Sequence, residues 1–228
     1  MDENAGSTSD PTLQVDPLPD GLGRGSTVLV ATSGDPSRPA VCLRVLCAQG
    51  TGGDTAVVVT TTESADRTIA TYEQLGGKTG RPSISIVDTV SEQQSVSAHY
   101  GGTHVVFTPS PGDLERLVMA LSELSDSAVP NSEARHLVIR SLTPILEASS
   151  VTHVSTVLER ITGLRSGSGL CLLGIDYTAH DEETMAAIGK LVDGVLWATQ
   201  PSPNRLAFDY QPTRGRRGGF VLGSGTES

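Results

Sequence analysis

The stretch VLVATSGDPSRPAVCL, residues 28–43, carries the features that decide the fold of this chain. It begins as an apolar strand, continues as a loop of Ser, Gly, Asp and Pro, and ends where an apolar helix starts. A strand, a turn and a helix in this order form the layout of a phosphate-binding loop. Because most of the glycines and the lysine of such a loop are missing, the stretch is either a dismantled nucleotide site or a turn of similar shape.

Length and charge limit the class of protein. The chain has 228 residues, enough for one α/β domain with a sizeable core and too few for two full domains. Its formal net charge of -10 argues against a general nucleic-acid binder, because phosphate binding depends on clustered positive charge. Lysine occurs only at Lys78 and Lys190. The acidic surplus with scarce lysine resembles proteins of salt-adapted archaea, while an ordinary acidic protein from a GC-rich genome fits the composition as well.

Cysteine usage and hydropathy predict a cytoplasmic protein with no metal site and no membrane insertion. Cys42, Cys47 and Cys171 lie in apolar runs without metal-ligand spacing, which is typical of buried reduced thiols. The histidines are likewise scattered without ligand spacing. The longest apolar runs are strand-sized, and residues 1–20 contain acidic but no basic residues, which fits neither a membrane span nor a secretory signal.

Composition divides the chain into three regions. Residues 1–20 bury too little apolar area to offset chain entropy and are expected to form a disordered acidic arm. Residues 21–212 form the folded domain, and residues 213–228 are expected to form a flexible tail rich in Gly, Ser and Arg. Apolar runs within the domain predict strands at 26–32, 55–62, 83–89, 103–108, 136–142, 169–176, 194–200 and 205–211.

Helical apolar stripes alternate with these strands. They occur at residues 110–124, with Ser110 as the expected cap and Pro111 at the first helical position, at residues 151–164, and from His180 onward. Several strands are apolar without alternation, as expected for strands covered on both faces of a mostly parallel sheet. The pattern therefore predicts an α/β sandwich with right-handed crossovers.

The order of these segments resembles one family, the RecA-like ATPases of the KaiC branch. The resemblance rests on four stretches and covers about residues 20 to 218. It implies a RecA-like three-layer sandwich with a mostly parallel sheet and helices on both faces. The four stretches are DGLGRGSTVLVATSGDPSRPAVCLRVL from Asp20, VVVTTTESADRTIATYEQLG from Val57, HLVIRSLTPIL from His136 and HDEETMAAIGKLVDGVLWAT from His180.

The resemblance places the eight-residue phosphate loop, Walker A, on TSGDPSRP, residues 32–39. Its two signature glycines are then Thr32 and Ser37, its lysine is Arg38, and its metal-binding hydroxyl is Pro39, so all four signature positions have changed. Asp35 adds a negative charge, and only Arg38 still favours an anion. Pro39 makes a sound first helical turn, with Ser37 available as the helix cap. Gly34, Ser37 and Arg38 are the nucleotide- or anion-binding candidates in this segment.

The Walker B strand that the resemblance identifies has also changed. Its terminal aspartate, which orients Mg²⁺ in the family, is replaced by Arg140, and the following Ser141 is a further ligand-binding candidate. Two alternatives stay open for Arg140: it converges with Arg38 on the old phosphate pocket and holds a nucleotide without Mg²⁺, or it pairs with Asp35 or Glu63.

Glu63 is the residual catalytic candidate. The family carries paired glutamates at the end of its second strand, and one of them acts as base for the attacking water. Here only Glu63 stands at that position, with Thr62 before it. It could polarise water, or it could be a helix-capping or solvated glutamate.

Three functions follow as hypotheses. The leading one is a catalytically inactive RecA/KaiC-like domain that acts as a regulatory or scaffolding partner, in a homo-oligomer or with a paralogous ATPase, with no cofactor or with ATP bound without Mg²⁺. The second is a divergent ATPase using Arg38 and Glu63. The third is a DNA-associated recombination accessory protein, supported only by Arg214, Arg216 and Arg217 in the tail, although the acidic chain makes nucleic acid an unexpected partner.

Overall fold

The computed structural model describes residues 13–75, 80–91, 97–100, 102–126, 132–166 and 168–213. The predictions for residues 1–12 of the arm and for the tail from Arg214 onward lie outside these residues. The described strands are β1 Gln14–Val15, β2 Thr27–Thr32, β3 Thr55–Thr60, β4 Ser83–Asp88, β5 Ser97–Tyr100, β6 Thr103–Phe107, β7 Arg135–Ile139, β8 Cys171–Asp176, β9 Gly194–Ser202 and β10 Arg205–Pro212. The described helices are α1 Val41–Gln49, α2 Ala65–Leu75, α3 Leu114–Asp126, α4 Thr143–Ala148, α5 Val151–Ile161 and α6 Glu182–Gly189.

The strands form one mostly parallel sheet in the order β1-β10-β9-β2-β8-β7-β3-β4-β6-β5. Among the strands of the described residues, only the β9–β10 and β5–β6 pairs are antiparallel. Each of the eight predicted strands overlaps an observed strand, and the predicted fold class is confirmed. The short β1 and β5 are absent from the sequence predictions, because two to four residues are too few to produce a recognisable pattern.

Helices cover both faces of the sheet and produce two apolar cores. One core packs α3, α4, α5 and α6 against the sheet, with fully buried residues such as Leu121, Ile139 and Leu173. The other core packs α1 and α2 against the opposite face, around Leu43, Val58 and Leu172. Burial on both faces explains why the central strands are apolar without alternation.

The segment after residue 12 differs from the predicted disordered arm. Gln14 and Val15 pair in parallel with β10, and Leu13 and Leu18 pack against the core that contains α1. Asp16 accepts two hydrogen bonds from the guanidinium of Arg205, at 3.0 and 2.9 Å. A short strand contact and an ion pair therefore order a stretch whose composition alone is typical of disorder.

The start of α3 also differs from its prediction. The helix begins at Leu114, and the carboxylate of Asp113 accepts the amide hydrogen bond of Arg116 at 3.1 Å. Asp113, and not Ser110, is therefore the capping residue. Aspartate and serine are comparable N-caps, so the start of the helix at Leu114, and not cap preference, selects Asp113.

Strands β7 and β8 approach each other closely at their carboxyl ends. A Cβ atom added at Gly174 would lie 2.1 Å from the carbonyl oxygen of Arg140. Leu142 donates an amide hydrogen bond to the carbonyl of Gly174 at 2.7 Å. The ring of Pro36 lies 3.0 Å from the position of the same Cβ atom. Because Gly174 has no side chain, the end of β7 and the loop after β2 can both pack against β8 at this point.

Candidate phosphate-loop site

The candidate site lies where the carboxyl ends of β2, β3, β7 and β8 meet. The sheet register pairs Thr32 with Asp176 at the ends of β2 and β8, and pairs Ile139 of β7 with Val59 of β3. In open α/β sheets the crevice outside these strand ends is the usual ligand position. Loop 33–40, which joins β2 to α1, borders that crevice.

The first half of loop 33–40 is held by the strand ends beside it. Gly34 adopts a φ of 90°, which is easy for glycine alone, and its amide donates to the carboxylate of Asp176 at 2.9 Å. The hydroxyl of Thr32 donates to the carbonyl of Gly34 at 2.6 Å. The same Asp176 oxygen accepts from the amide and the hydroxyl of Thr178, at 3.0 and 2.6 Å. From the end of β8, the Asp176 carboxylate therefore holds loop 33–40 as a fixed anion of the chain itself.

The second half of the loop uses its own acceptors. The carboxylate of Asp35 accepts the amide hydrogen bond of Ser37 at 2.9 Å, and the carbonyl of Asp35 accepts from Arg38 at 3.2 Å. Pro36 and Pro39 have no amide hydrogen to offer. The amides that donate within the chain are those of Gly34, Ser37, Arg38, Ala40 and Val41.

The helix after the loop starts later than predicted. Helix α1 begins at Val41, and Ala40 before it has a φ of 52° and makes no side-chain cap bond. The prediction that Ser37 caps a helix beginning at Pro39 is therefore wrong. The Ser37 hydroxyl is buried and has no hydrogen-bond partner among the described residues. A left-handed conformation at a non-glycine residue costs about 1 kcal/mol, so the surrounding contacts hold this corner in place.

Arg140 crosses the site from the end of β7. Its side chain is 2% exposed, and its Nη1 donates to Glu63 Oε2 at 2.8 Å and to Thr68 Oγ1 at 2.6 Å. Its Nη2 donates to the carbonyl of Ser37 at 2.9 Å. Of the two carboxylates proposed as partners from the sequence, Glu63 forms the ion pair, and Asp35 instead binds the amide of Ser37.

The other candidates are less closely connected. Arg38 is exposed, whereas Arg140 is buried, so the two arginines differ in their access to solvent. Ser141 is buried, and its carbonyl accepts from the hydroxyl of Thr61 at 2.7 Å. Two residues further on, the Thr143 hydroxyl accepts from the amide of Asp176 at 3.2 Å. Ser141 thus contributes a backbone contact between strand ends.

Burial and hydrogen bonding shift the pKa values of the groups at these strand ends in opposite directions. Burial works to raise the pKa of Asp176, but the hydrogen bonds from Thr178 and Gly34 outweigh it, so this pKa lies below its ordinary value. Burial raises the pKa of the Cys42 thiol, which lies near Arg140, to about 12. The carboxylate that holds the loop is charged at neutral pH, and the neighbouring thiol is not a nucleophile there.

Comparison with known proteins identifies the family of this sequence. The sequence profile of a family of unknown function, DUF7504, matches residues 25–197, which is well over half of the chain. The chain belongs to DUF7504. No curated protein matches the DUF7504 chain.

Two solved structures resemble the DUF7504 chain. The KaiC-like protein PH0186 from the hyperthermophilic archaeon Pyrococcus horikoshii OT3 has 15% sequence identity and a TM-score of 0.51, covering 85% of this chain and 82% of its own. A second protein of the same organism, PH0250, has 10% identity and a TM-score of 0.49, covering 82% of this chain and 87% of its own. The likeness to PH0186 confirms the RecA-type fold.

Asp176 is one residue of the DUF7504 site that the sequence analysis missed. It ends the strand CLLGID, which was recognised, but its partner Gly34 is 142 residues away along the chain. The acidic residue at a strand end on the ligand edge was the available signal. Among the described residues, no group of three or more His, Cys, Asp or Glu side chains could hold a metal ion. No helix in the described part of the chain has the length and apolarity to cross a membrane.

Proposed function

We propose that this chain is a RecA-fold domain that does not hydrolyse nucleotide and acts through protein contacts, as a regulatory or scaffolding partner of itself or of a paralogous ATPase. One observation carries the proposal: carboxylates of the chain itself already accept hydrogen bonds from amides of loop 33–40. The carboxylates of Asp176 and Asp35 accept the amides of Gly34 and Ser37, at 2.9 Å each. A working phosphate loop leaves such amides for the ligand, because they supply most of its affinity for phosphate.

Charge supports the same proposal. A triphosphate entering the loop would approach two carboxylates, Asp35 and Asp176, without the lysine that normally balances it. Like charges in a partly buried site repel each other, and the loop would also lose its internal hydrogen bonds. Charge repulsion and the loss of internal hydrogen bonds therefore both oppose nucleotide binding at loop 33–40.

The alternative of a divergent ATPase requires Glu63 to act as a free base. One of its carboxylate oxygens instead already accepts a hydrogen bond from Arg140 at 2.8 Å, so this oxygen is engaged within the chain. Arg38 is exposed and would be the only cation of the loop itself. These contacts favour the non-hydrolysing function.

The setting of this function is part of the proposal. We propose the cytoplasm of a salt-adapted archaeon, because the sequence contains 26 acidic and 16 basic residues, and only two of the basic residues are lysines. The fold similarity to PH0186, a KaiC-like protein, supports assembly with RecA-like subunits as the kind of contact to test.

ATP turnover in concentrated salt, with and without Mg²⁺, tests the proposal. We expect no Mg²⁺-dependent phosphate release above that of buffer. The matched control is the Glu63→Gln variant, which removes the residual candidate for the base. Mg²⁺-dependent turnover in the unaltered chain that disappears in Glu63→Gln would establish an ATPase and end the proposal. Light scattering over a concentration series measures self-association in the same buffer, and a monomer at all concentrations would leave a paralogue as the required partner.

A further inference from the structure

Three oxygen atoms from three separate segments surround the guanidinium of Arg140. They are the carbonyl of Ser37 in loop 33–40, the carboxylate of Glu63 after β3, and the hydroxyl of Thr68 in α2, at 2.9, 2.8 and 2.6 Å. Arg140 itself belongs to a fourth segment, the end of β7. A single charged group, the guanidinium of Arg140, thus joins loop 33–40, the ends of β3 and β7, and helix α2.

The composition of this oxygen set is that of a cation site. A carboxylate, a carbonyl and a hydroxyl are the protein groups that bind hard cations. Ser37, Thr68 and Arg140 are 2% exposed or less, and the Glu63 side chain is 22% exposed, so the charges are largely removed from water. A guanidinium that is removed from water needs a counter-charge, and the half-buried carboxylate of Glu63 supplies it.

We infer that Ser37, Glu63 and Thr68 form a cation-binding cradle whose bound ion is the guanidinium of Arg140, so that the chain itself supplies the cation that joins these segments. The contacts of 2.6 to 2.9 Å are hydrogen-bond lengths, longer than most bonds from oxygen to Mg²⁺ or Ca²⁺. The two terminal nitrogens of the planar fork donate to different acceptors in fixed directions, whereas a spherical ion would contact all three oxygens from a single point. The cradle therefore selects guanidinium-type cations, and this inference holds whether or not the chain hydrolyses nucleotide.

Chemical rescue of the full-length Arg140→Ala variant tests the cradle. We expect a large loss of thermal stability in this variant and recovery of about 2–4 °C in Tm with about 20 mM guanidinium chloride. At this concentration denaturation by guanidinium lowers Tm by less than about 0.5 °C. Sodium chloride, urea and magnesium chloride at equal concentration should not restore stability, and the unaltered chain should not respond.

The Glu63→Gln/Arg140→Ala double variant is the matched control, since it lacks the carboxylate of the cradle. Guanidinium should not stabilise it. An equal rise in Tm in both variants, no rise in either, or a larger rise with magnesium would each overturn the inference.

A second measurement keeps the test decisive if Arg140→Ala does not fold. In the otherwise unaltered chain, Glu63→Gln should lower Tm by several degrees more than Asp16→Asn, which breaks the exposed ion pair to Arg205. Thr68→Val combined with Glu63→Gln should lower Tm by less than the sum of the two single effects, because both residues bind the same Nη1. Equal losses for Glu63→Gln and Asp16→Asn, or strict additivity, would contradict the cradle.

Discussion

Asp176 accepts a hydrogen bond from the amide of Gly34 at 2.9 Å, across 142 residues of sequence. This contact ties the end of β8 to loop 33–40, which follows β2. The carboxylate gives the Gly34 amide an acceptor within the chain. Loop 33–40 is therefore ordered by the protein alone.

Replacing Asp176 with alanine removes the acceptor for Gly34 and for Thr178. We expect the free energy of unfolding to fall by about 1–2 kcal/mol, the usual loss when a capping carboxylate is removed. Urea denaturation followed by circular dichroism measures this change. Asp209→Ala, an exposed carboxylate on β10, is the matched control and should change stability by less than about 0.5 kcal/mol. Equal losses for the two variants would show that Asp176 does not hold the loop.

A buried histidine at the amino end of β7, away from loop 33–40, predicts a pH dependence of stability. His136 is 3% exposed; its Nδ1 accepts the amide of Leu170 at 3.0 Å, and its Nε2 lies 3.3 Å from Asp54. Burial lowers the pKa of His136, and the opposing effect of Asp54 does not cancel it. Protonation would also place a hydrogen on Nδ1, where the Leu170 amide already points.

The sign of the dependence follows from the lowered pKa. In the unfolded chain the histidine titrates near its ordinary pKa of about 6.5. Below that pH the unfolded state binds the proton first, so the free energy of unfolding decreases as the pH falls toward the folded pKa. Urea denaturation between pH 7.5 and 5.5 (about one unit either side of 6.5) measures the slope. His136→Gln should be less stable at pH 7.5 and should lose that slope. A wild-type stability that rises on acidification in this window would refute the assignment.

The ordered N-terminal segment predicts two unequal effects. Leu22 is 6% exposed and belongs to the core with α1, so Leu22→Ala should lower the free energy of unfolding by about 2–4 kcal/mol. The ion pair between Asp16 and Arg205 is largely exposed, so Asp16→Asn should have little effect. Thermal denaturation of both variants compares them directly. A loss with Asp16→Asn as large as that with Leu22→Ala would mean that charge, and not apolar burial, fixes the segment.

Much of the fold could be predicted from the sequence, because central strands buried on both faces leave unbroken apolar runs such as Val57–Val59. The resemblance to KaiC-like ATPases placed Arg38 and Arg140 where that family carries a lysine and an aspartate, so both arginines were site candidates before their contacts were known. Short strands such as β1 and β5 could not be predicted, since their pairing depends on neighbours distant in sequence.

The contacts of the site were harder to predict than its residues. The sequence left Asp35 and Glu63 as equal partners for Arg140, because their choice depends on which strand ends lie side by side. Register decides it: β3 pairs with β7, and this pairing brings Glu63 to Arg140. The role of Asp176 depends on the β2–β8 pairing in the same way. Such distant pairings are properties of the sheet and have no local sequence signal.

Amide hydrogen exchange at Gly34 and Ser37, measured by NMR in the free protein and with excess Mg²⁺ and ATP, tests the central claim most directly. We predict that both amides exchange far more slowly than in an unfolded chain without any ligand, because Asp176 and Asp35 already accept their hydrogen bonds. We also predict that Mg²⁺ and ATP leave these rates unchanged. Rapid exchange in the free protein that becomes slow when Mg²⁺ and ATP are added would contradict the account, since it would show an open loop that waits for phosphate.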